Sequence, residues 1–475
     1  SDLDNEFGYS SGTSSDEEQQ SGSTEGNCSN SQPKSFNDEL ASWATKYQVK
    51  RAAVNDLLAL LKKQGHALPK DARTLLGTPK EVTVLSKCGG QYIYFGIKHG
   101  ITQVLSAHPG ALENGISLEL IINIDGRPLF KSSNDQFWPI LGSFNNLDVF
   151  VIGLYYGKTK PSSLEEYMDD FLQELDALKK EGITFGSKTY KVELHCFSCD
   201  APSRCFLKAI IGHTGYFSCE RCQMKGTWKG RVVFNSGDIA TLRTEEAFAN
   251  YDYEAHQKGQ TPLICHGVSC INGFALDYMH MVCLGVTRRI LHFLKNGPRE
   301  CKLSSVQLAQ ISANLLSLKG KMPSKFARQP RSLDELERRK ATEFRQFLLY
   351  TGPIALKGVV STKLYQHFLS LSITISIMLE SNADRRNSLL NYARQLMQFF
   401  VKNCKAVYGE TFTVYNVHGL LHLHEDALNN VNVDDMQLCE SYNFTTTAET
   451  TDNDQDDDDN DPKKTNTRRP RNHLA

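Results

Sequence analysis

No stretch of the 475-residue sequence stays apolar for the ~18 residues that a membrane-crossing helix needs. The best candidate, Phe368 to Leu379, is short and broken by Ser370, Ser372 and Ser376, so it reads as a buried helix. The first residues are Ser, Gly, Asn, Gln and acid, without the apolar core of a secretion signal. A disulfide framework is not indicated either. Thirteen cysteines are an odd number, spread over a long chain with no such signal, which favours reduced thiols and metal ligands. Net charge is nearly absent, at −1, but it is unevenly distributed. Residues 1–35 carry a net of −6 and residues 445–475 a net of −3, leaving +8 on the body between them. A basic body with acidic tails suits a polyanionic partner.

What is present is a globular composition, 40% hydrophobic and 23% charged, long enough for two or three domains. Residues 1–35 and 445–475 are low-complexity and are expected to be disordered tails. The basic end of the second tail, Lys463-Lys464 and Arg468-Arg469-Pro470-Arg471, is a candidate nuclear localisation signal. Over 36–75, Leu40, Trp43, Ala44 and Tyr47 mark one helix after Asn37 as N-cap. Val54, Leu57, Leu58 and Leu61 mark a second helix, stopping before Gly65. The pair resembles a helix-turn-helix, with Lys50, Arg51 and Asn55 as DNA-contacting candidates; an αα-hairpin packed on the body fits equally well.

From residue 82 to about 206 the texture is β-rich. Apolar strands are expected over Ser117–Ile124, Asp148–Tyr156 and Tyr190–Cys199, with an amphipathic helix from Leu164 between the last two. The first and third of these strands each deliver an aspartate at the C-terminal end, Asp125 and Asp200, where mixed α/β layers tend to place ligand and metal sites. Facing carboxylates repel unless a cation lies between them, and with a third acid they would hold paired Mg²⁺ ions; alone, Asp200 would also cap the following helix. From Leu303 to Asn429 the pattern is helical almost throughout.

Cys196-x2-Cys199 and Cys219-x2-Cys222 have zinc-ribbon spacing. The first pair lies in a strand, however, where residues three apart point to opposite faces. The second follows a glycine-rich segment, Gly212 to Gly215, suited to a knuckle. Two further ligands are expected from His418 and His422, at i and i+4 on one helix face.

At these motifs the chain acquires a family likeness. Asp125-Gly-Arg-Pro-Leu-Phe-Lys-Ser-Ser133, with Gln136-Phe-Trp-Pro-Ile-Leu141, resembles the first catalytic block of the animal CACTA (EnSpm) transposases. The run from Asp200-Ala-Pro-Ser-Arg-Cys to Ser-Cys-Glu-Arg-Cys222 resembles the second. Leu276 to Val286 and Tyr415 to Leu423 resemble two more, so the likeness spans roughly 36–430.

The resemblance implies an α/β fold: an RNase H-like mixed sheet core (82–215), a zinc-stabilised α-helical insertion (216–430) and a returning core segment (431–444). It implies a DDE triad binding Mg²⁺ or Mn²⁺ through Asp125, Asp200 and a third acid. Its counterpart is Glu440, in Leu438-Cys-Glu-Ser-Tyr-Asn-Phe444, whose flanks differ from the family's; Asp434, Asp435 and Glu425 are fallbacks. It further implies Zn²⁺ on Cys219, Cys222, His418 and His422, with Asp277 and His280 either supporting the acid site or packing the core. The implied partners are DNA, as element terminal repeats and target, and further copies of the chain in a synaptic complex. No membrane association is expected, and the implied location is the nucleus. The activity is strand cleavage and strand transfer, or, in a degenerate derivative, binding without cutting.

Overall fold

The computed structural model describes residues 35–428, apart from residues 48, 79–82, 109, 112–116, 130–132, 236–239, 325 and 327. The expected tails (save Ser35), the basic cluster and the acids Asp434, Asp435 and Glu440 therefore lie outside the described residues. Two compact units are present, the second beginning at Thr83.

The N-terminal unit holds helices α1 (Phe36–Lys46), α2 (Arg51–Lys63) and α3 (Ala72–Leu75). Ser35, rather than Asn37, caps α1. Its hydroxyl accepts from the Asp38 N–H, and the Asp38 carboxylate accepts from the Ser35 N–H, so two orphan donors are satisfied together. Leu40, Ala44, Val54, Leu58, Leu68, Ala72 and Leu75 interlock as its core.

The second unit is α/β, built on a mixed nine-stranded sheet with many helices. Its strands are β1 (Leu85–Lys87), β2 (Gly90–Tyr94), β3 (Ser117–Ile124), β4 (Arg127–Pro128), β5 (Gln136–Phe144), β6 (Phe150–Gly157), β7 (Ile183–Phe185) and β8 (Lys188–Ser198). A separate hairpin of β9 (Thr227–Trp228) and β10 (Val232–Val233) precedes the last sheet strand, β11 (Phe274–Ala275). The sheet order is β1-β2-β6-β5-β3-β8-β11, with β4 on β5 and β7 on β8. Among the described residues, only the β3–β8 and β8–β11 pairs are parallel. Strand β11 lies within the span expected to be a helical insertion. Two residues are too short to display a strand period, so its membership depends on the β8 edge it pairs with.

Both faces of the central strands are covered, which is why they read as nearly continuous apolar runs. Leu118, Leu120, Ile122 and Ile124 of β3 join a core with Ile101 and Val104 of α4 (Ile97–Ala107) and with Phe171, Leu172 and Leu175 of α5 (Leu164–Glu181). On the other face, Ile121 and Cys196 join a larger core contributed by the helices that follow β11. Among these are α8 (Arg288–Asn296), α9 (Ser305–Ser317), α10 (Ala341–Gln346), α11 (Gly352–Leu356), α12 (Thr362–Met378) and α13 (Ala383–Tyr408), the last two packed along one another; the short α7 (Glu245–Ala249) precedes β11. Among the described residues, no helix is long and apolar enough to cross a membrane.

Candidate functional site

The acid edge is set by strand register. In the β3–β8 ladder Leu120 pairs with Leu194, but Ile121 pairs with Cys196, so β8 carries one extra residue, His195, as a bulge. Beyond the bulge Ile122 lies opposite Phe197, and continuing that register sets Asp125 level with Asp200. Asn123 Nδ2 donates to the Ser198 carbonyl and the Ile124 N–H to Cys199 Sγ, consistent with that alignment. On the other side of β8, Phe274 pairs with Phe197 and Ala275 with Ser198, which sets Asp277 level with Asp200 as well. Three neighbouring parallel strands thus end in aspartate at one edge. A ligand site is expected there on physical grounds, outside the carboxyl ends of parallel strands.

Each acid has a defined environment. Asp125 is followed by Gly126, where a Cβ would meet the Trp138 ring at 2.6 Å; glycine lets the indole close over this turn. Burial and the nearby Asp200 carboxylate push the Asp125 carboxyl up to about 6, against the opposing pull of Arg127 and His280. Asp200 caps α6 (Ala201–Leu207), its Oδ1 accepting from the Ser203 N–H at 2.8 Å. Asp277 accepts from the His280 N–H at 3.0 Å and from His280 Nδ1 at 2.5 Å. That bond outweighs burial, and with the charge of Asp277, Asp200 and Asp125 it pushes the His280 imidazole up to about 9. His280 is the second residue of a π-wound stretch, Met279–Thr287, and is half exposed. A cleft of about 310 Å³ is lined by Asp200, Asp277, His280, His213, Gly285 and Asn416, among others.

Hard oxygen donors and a mutually repelling Asp125–Asp200 pair fit a divalent cation such as Mg²⁺, which needs only one or two carboxylates because it keeps several waters. The donors are nevertheless more loosely gathered than those of the second cluster. With strands ~4.8 Å apart, Asp125 and Asp277 are two spacings from each other.

The second cluster is compact. Cys219, Cys222, His418 and His422 are all buried, and their ligand atoms lie within 4.8 Å of one another, the sole such group of three or more among the described residues. Cys222 Sγ is 3.2 Å from His418 Nε2, Cys219 Sγ is 3.6 Å from His422 Nε2, and the sulfurs are 3.5 Å apart. A tetrahedral Zn²⁺ with bonds of ~2.3 Å to sulfur and ~2.0 Å to nitrogen has edges of about 3.3–3.8 Å, so the set fits a metal of this kind. Burial opposes charge on Cys219, but the Cys222 thiol and both imidazoles hold its thiol well below the ordinary range. His418 lies on α14 (Tyr415–Gly419) and stacks on Phe234 at 4.9 Å; His422 ends the following 3₁₀ turn.

Cys196 and Cys199 stay in and just beyond β8, outside this cluster. Glu425, a fallback for the third acid, is instead turned to His422, with its Oε2 3.9 Å from Nδ1. It supports the cysteine–histidine cluster.

Sequence reasoning missed the two residues between the cysteines. Glu220 and Arg221 are buried ions. Glu220 accepts from Arg204 at 3.0 Å, Lys208 at 2.8 Å and the Tyr415 hydroxyl at 2.5 Å. Arg221 donates to the carbonyls of Ile271 and Phe274, flanking or within β11, and to Asp426 of α15 (Leu423–Leu428). Spacing that looks like a solvent-facing knuckle gave no sign of this.

In the N-terminal unit, Lys50 and Arg51 are exposed at the start of α2. Asn55 serves the unit's own fold, its Oδ1 accepting from the Ala72 N–H at 2.8 Å. No protein-family model matches the chain, and no curated protein is significantly similar to it.

Proposed function

We propose that this chain is a DNA transposase of the DDE type, built on an RNase H-like core, that cuts DNA at element ends and joins them to target DNA. The observation that supports this most is the alignment of Asp125, Asp200 and Asp277 on three parallel strand ends, beside a cleft faced by His280. In the first step water attacks phosphorus, the P–O3′ bond breaks, and the element strand is left with a 3′-hydroxyl. In the second, that hydroxyl attacks a target phosphodiester and displaces a target 3′-hydroxyl. No oxidant or reductant is needed in either step.

Asp125 and Asp200 would hold the divalent ion, which supplies charge stabilisation at the phosphoryl oxygens when bound. Burial and the repulsion of Asp200, which raise the Asp125 carboxyl, are what a cation held between the two carboxylates would relieve. His280 has Nδ1 engaged by Asp277, so its Nε2–H is the group available to the leaving oxygen. Asp277 is thereby a positioning residue, and Glu440 remains the proposed third metal-holding acid. The cysteine–histidine cluster would hold Zn²⁺ as a structural clamp. Nuclear location and a synaptic homo-oligomer belong to the same proposal.

A derivative that binds DNA without cutting is favoured by one observation: Asp200 and Asp277 already have partners, in α6 and His280. Incubation with Mg²⁺ or Mn²⁺ and DNA bearing the element's terminal repeats separates the two. New 3′-hydroxyl ends that disappear in Asp125→Asn and Asp200→Asn support the transposase; binding without nicking supports the derivative.

A further inference from the structure

A second cleft is larger than the acidic one. A groove of about 700 Å³ is lined by Arg231, Arg288, Arg289 and His292, with Leu284 and Gly285 at one side. Leu284 and Gly285 also line the acidic cleft, so the two cavities share a wall. Gly285 keeps that wall thin: a Cβ there would meet Asn416 Nδ2 at 2.4 Å. The π-wound stretch from His280 continues directly into α8, which carries Arg288, Arg289 and His292.

The charge in this groove is undercompensated. Arg288 Nη2 pairs with Glu337 at 2.9 Å, and His292 Nε2 lies 3.4 Å from the same carboxylate. Arg289 is fixed by main-chain carbonyls instead, its Nε donating to Phe412 at 2.8 Å and its Nη2 to Thr411 at 2.5 Å. Among the described residues, neither Arg289 nor Arg231 pairs with a carboxylate. Both line the one cleft, and burial, then the charge of Arg231, pull the Arg289 guanidinium down to about 10. A cleft lined by one sign of charge focuses the field and concentrates counter-ions of the other sign. A phosphodiester backbone supplies such anions at regular spacing, and guanidinium groups match phosphate in a bidentate way.

We infer that the Arg231–Arg288–Arg289 groove holds the phosphate backbone of duplex DNA flanking the bond cut at the acid edge. Eight residues of helix separate His280 from Arg288, roughly 10–12 Å along the axis. That is about three base pairs of duplex. The groove therefore sets register, presenting one phosphate to the aspartates while gripping the backbone beyond it, and it reads no bases. The inference rests on the DNA-directed reading of the site.

The test is binding of the full chain to a short mixed-sequence duplex across a salt series. Arg231→Gln with Arg288→Gln is expected to weaken binding on the order of 10-fold or more at moderate salt and to lower the salt slope by about two. Divalent-ion binding at the aspartates should be unchanged. Glu337→Gln, which removes the opposing charge, should tighten binding and guards against a double variant that fails to fold. Wild-type binding with slope and affinity unmoved in all of these variants overturns the groove while leaving the DNA-directed reading intact. Wild-type protein that binds no duplex overturns both.

Discussion

Arg204 and Glu220 form a buried ion pair, Nε to Oε1 at 3.0 Å, and Arg204 Nη1 also donates to the Cys199 carbonyl at 2.6 Å. Glu220 sits between the two cysteines of the metal-type cluster, and Cys199 immediately precedes Asp200. One guanidinium therefore connects the cysteine knuckle to the strand end that presents the central acid. Arg221 makes the equivalent connection to β11, which leads to Asp277. The cysteine–histidine cluster and the acid edge are thus joined by one buried hydrogen-bond network.

Glu220→Gln should consequently cost much more than a surface substitution. It would leave Arg204 and Lys208, each about 1% exposed, without their counter-charge. Breaking a buried pair from one side costs about 3–5 kcal/mol. Chemical denaturation of the variant should show a loss of that order; a loss below about 1 kcal/mol would mean the network is solvated and dispensable.

Metal analysis of the full chain should find one Zn²⁺ held by two sulfurs and two nitrogens, with X-ray absorption distances of ~2.3 and ~2.0 Å. Cys222→Ser or His418→Ala should release it and expose the 415–428 segment to proteolysis, since that segment reaches the knuckle through the metal, Tyr415 and Asp426. A four-sulfur shell would instead implicate Cys196 and Cys199.

His280→Ala should lower strand cleavage by roughly 10²-fold while leaving divalent-ion binding in place, the pattern of a lost proton donor rather than a lost ligand. Asp277→Asn should fall between His280→Ala and the wild type. Glu440→Gln, by contrast, should remove cleavage and keep DNA binding. Equal loss of metal binding in His280→Ala would make His280 a ligand or a structural prop.

Stability should fall on mild acidification, in part through His367. This residue of α12 is buried, with Nε2–H donating to the Phe400 carbonyl at 2.8 Å and Nδ1 3.3 Å from the Tyr408 hydroxyl. Burial holds its imidazole down at about 4, against 6.5 in the unfolded chain. The unfolded state thus takes up a proton first, so the contribution is full above pH 6.5 and lost as pH falls towards 4. The shift corresponds to on the order of 3 kcal/mol. His367→Gln should flatten the acid limb of a denaturation series over that window; an unchanged limb would assign it to other groups.

Much of this architecture could be read from residue patterns, and the exceptions have physical causes. β3, β8 and α5 were readable because apolar runs or 3.6-residue stripes ended at sharp punctuation, Asp125-Gly126, Asp200-Ala-Pro202 and Gly182. Cys219, Cys222, His418 and His422 were readable because chelating residue types recur at chelating spacings. The alignment of Asp277 was not, because β11 is two residues long and its register comes from a partner 77 positions away in sequence. Nor was the His195 bulge, a single extra residue without a sequence mark, although without it Asp125 would face Cys199 instead of Asp200. The ions Glu220 and Arg221 were invisible for a related reason: charged residues between cysteines look solvated until distant partners bury them.

Whether Asp125 and Asp200 share a divalent ion is tested most directly by Mn²⁺ titration of the zinc-loaded chain, followed by loss of the free-ion EPR signal. Wild-type protein should bind Mn²⁺, and Asp125→Asn and Asp200→Asn should each weaken it by at least about 10-fold, since even loss of a partner behind a ligand costs that much. Wild-type binding that neither substitution alters, or no binding at all, would contradict the metal-dependent site.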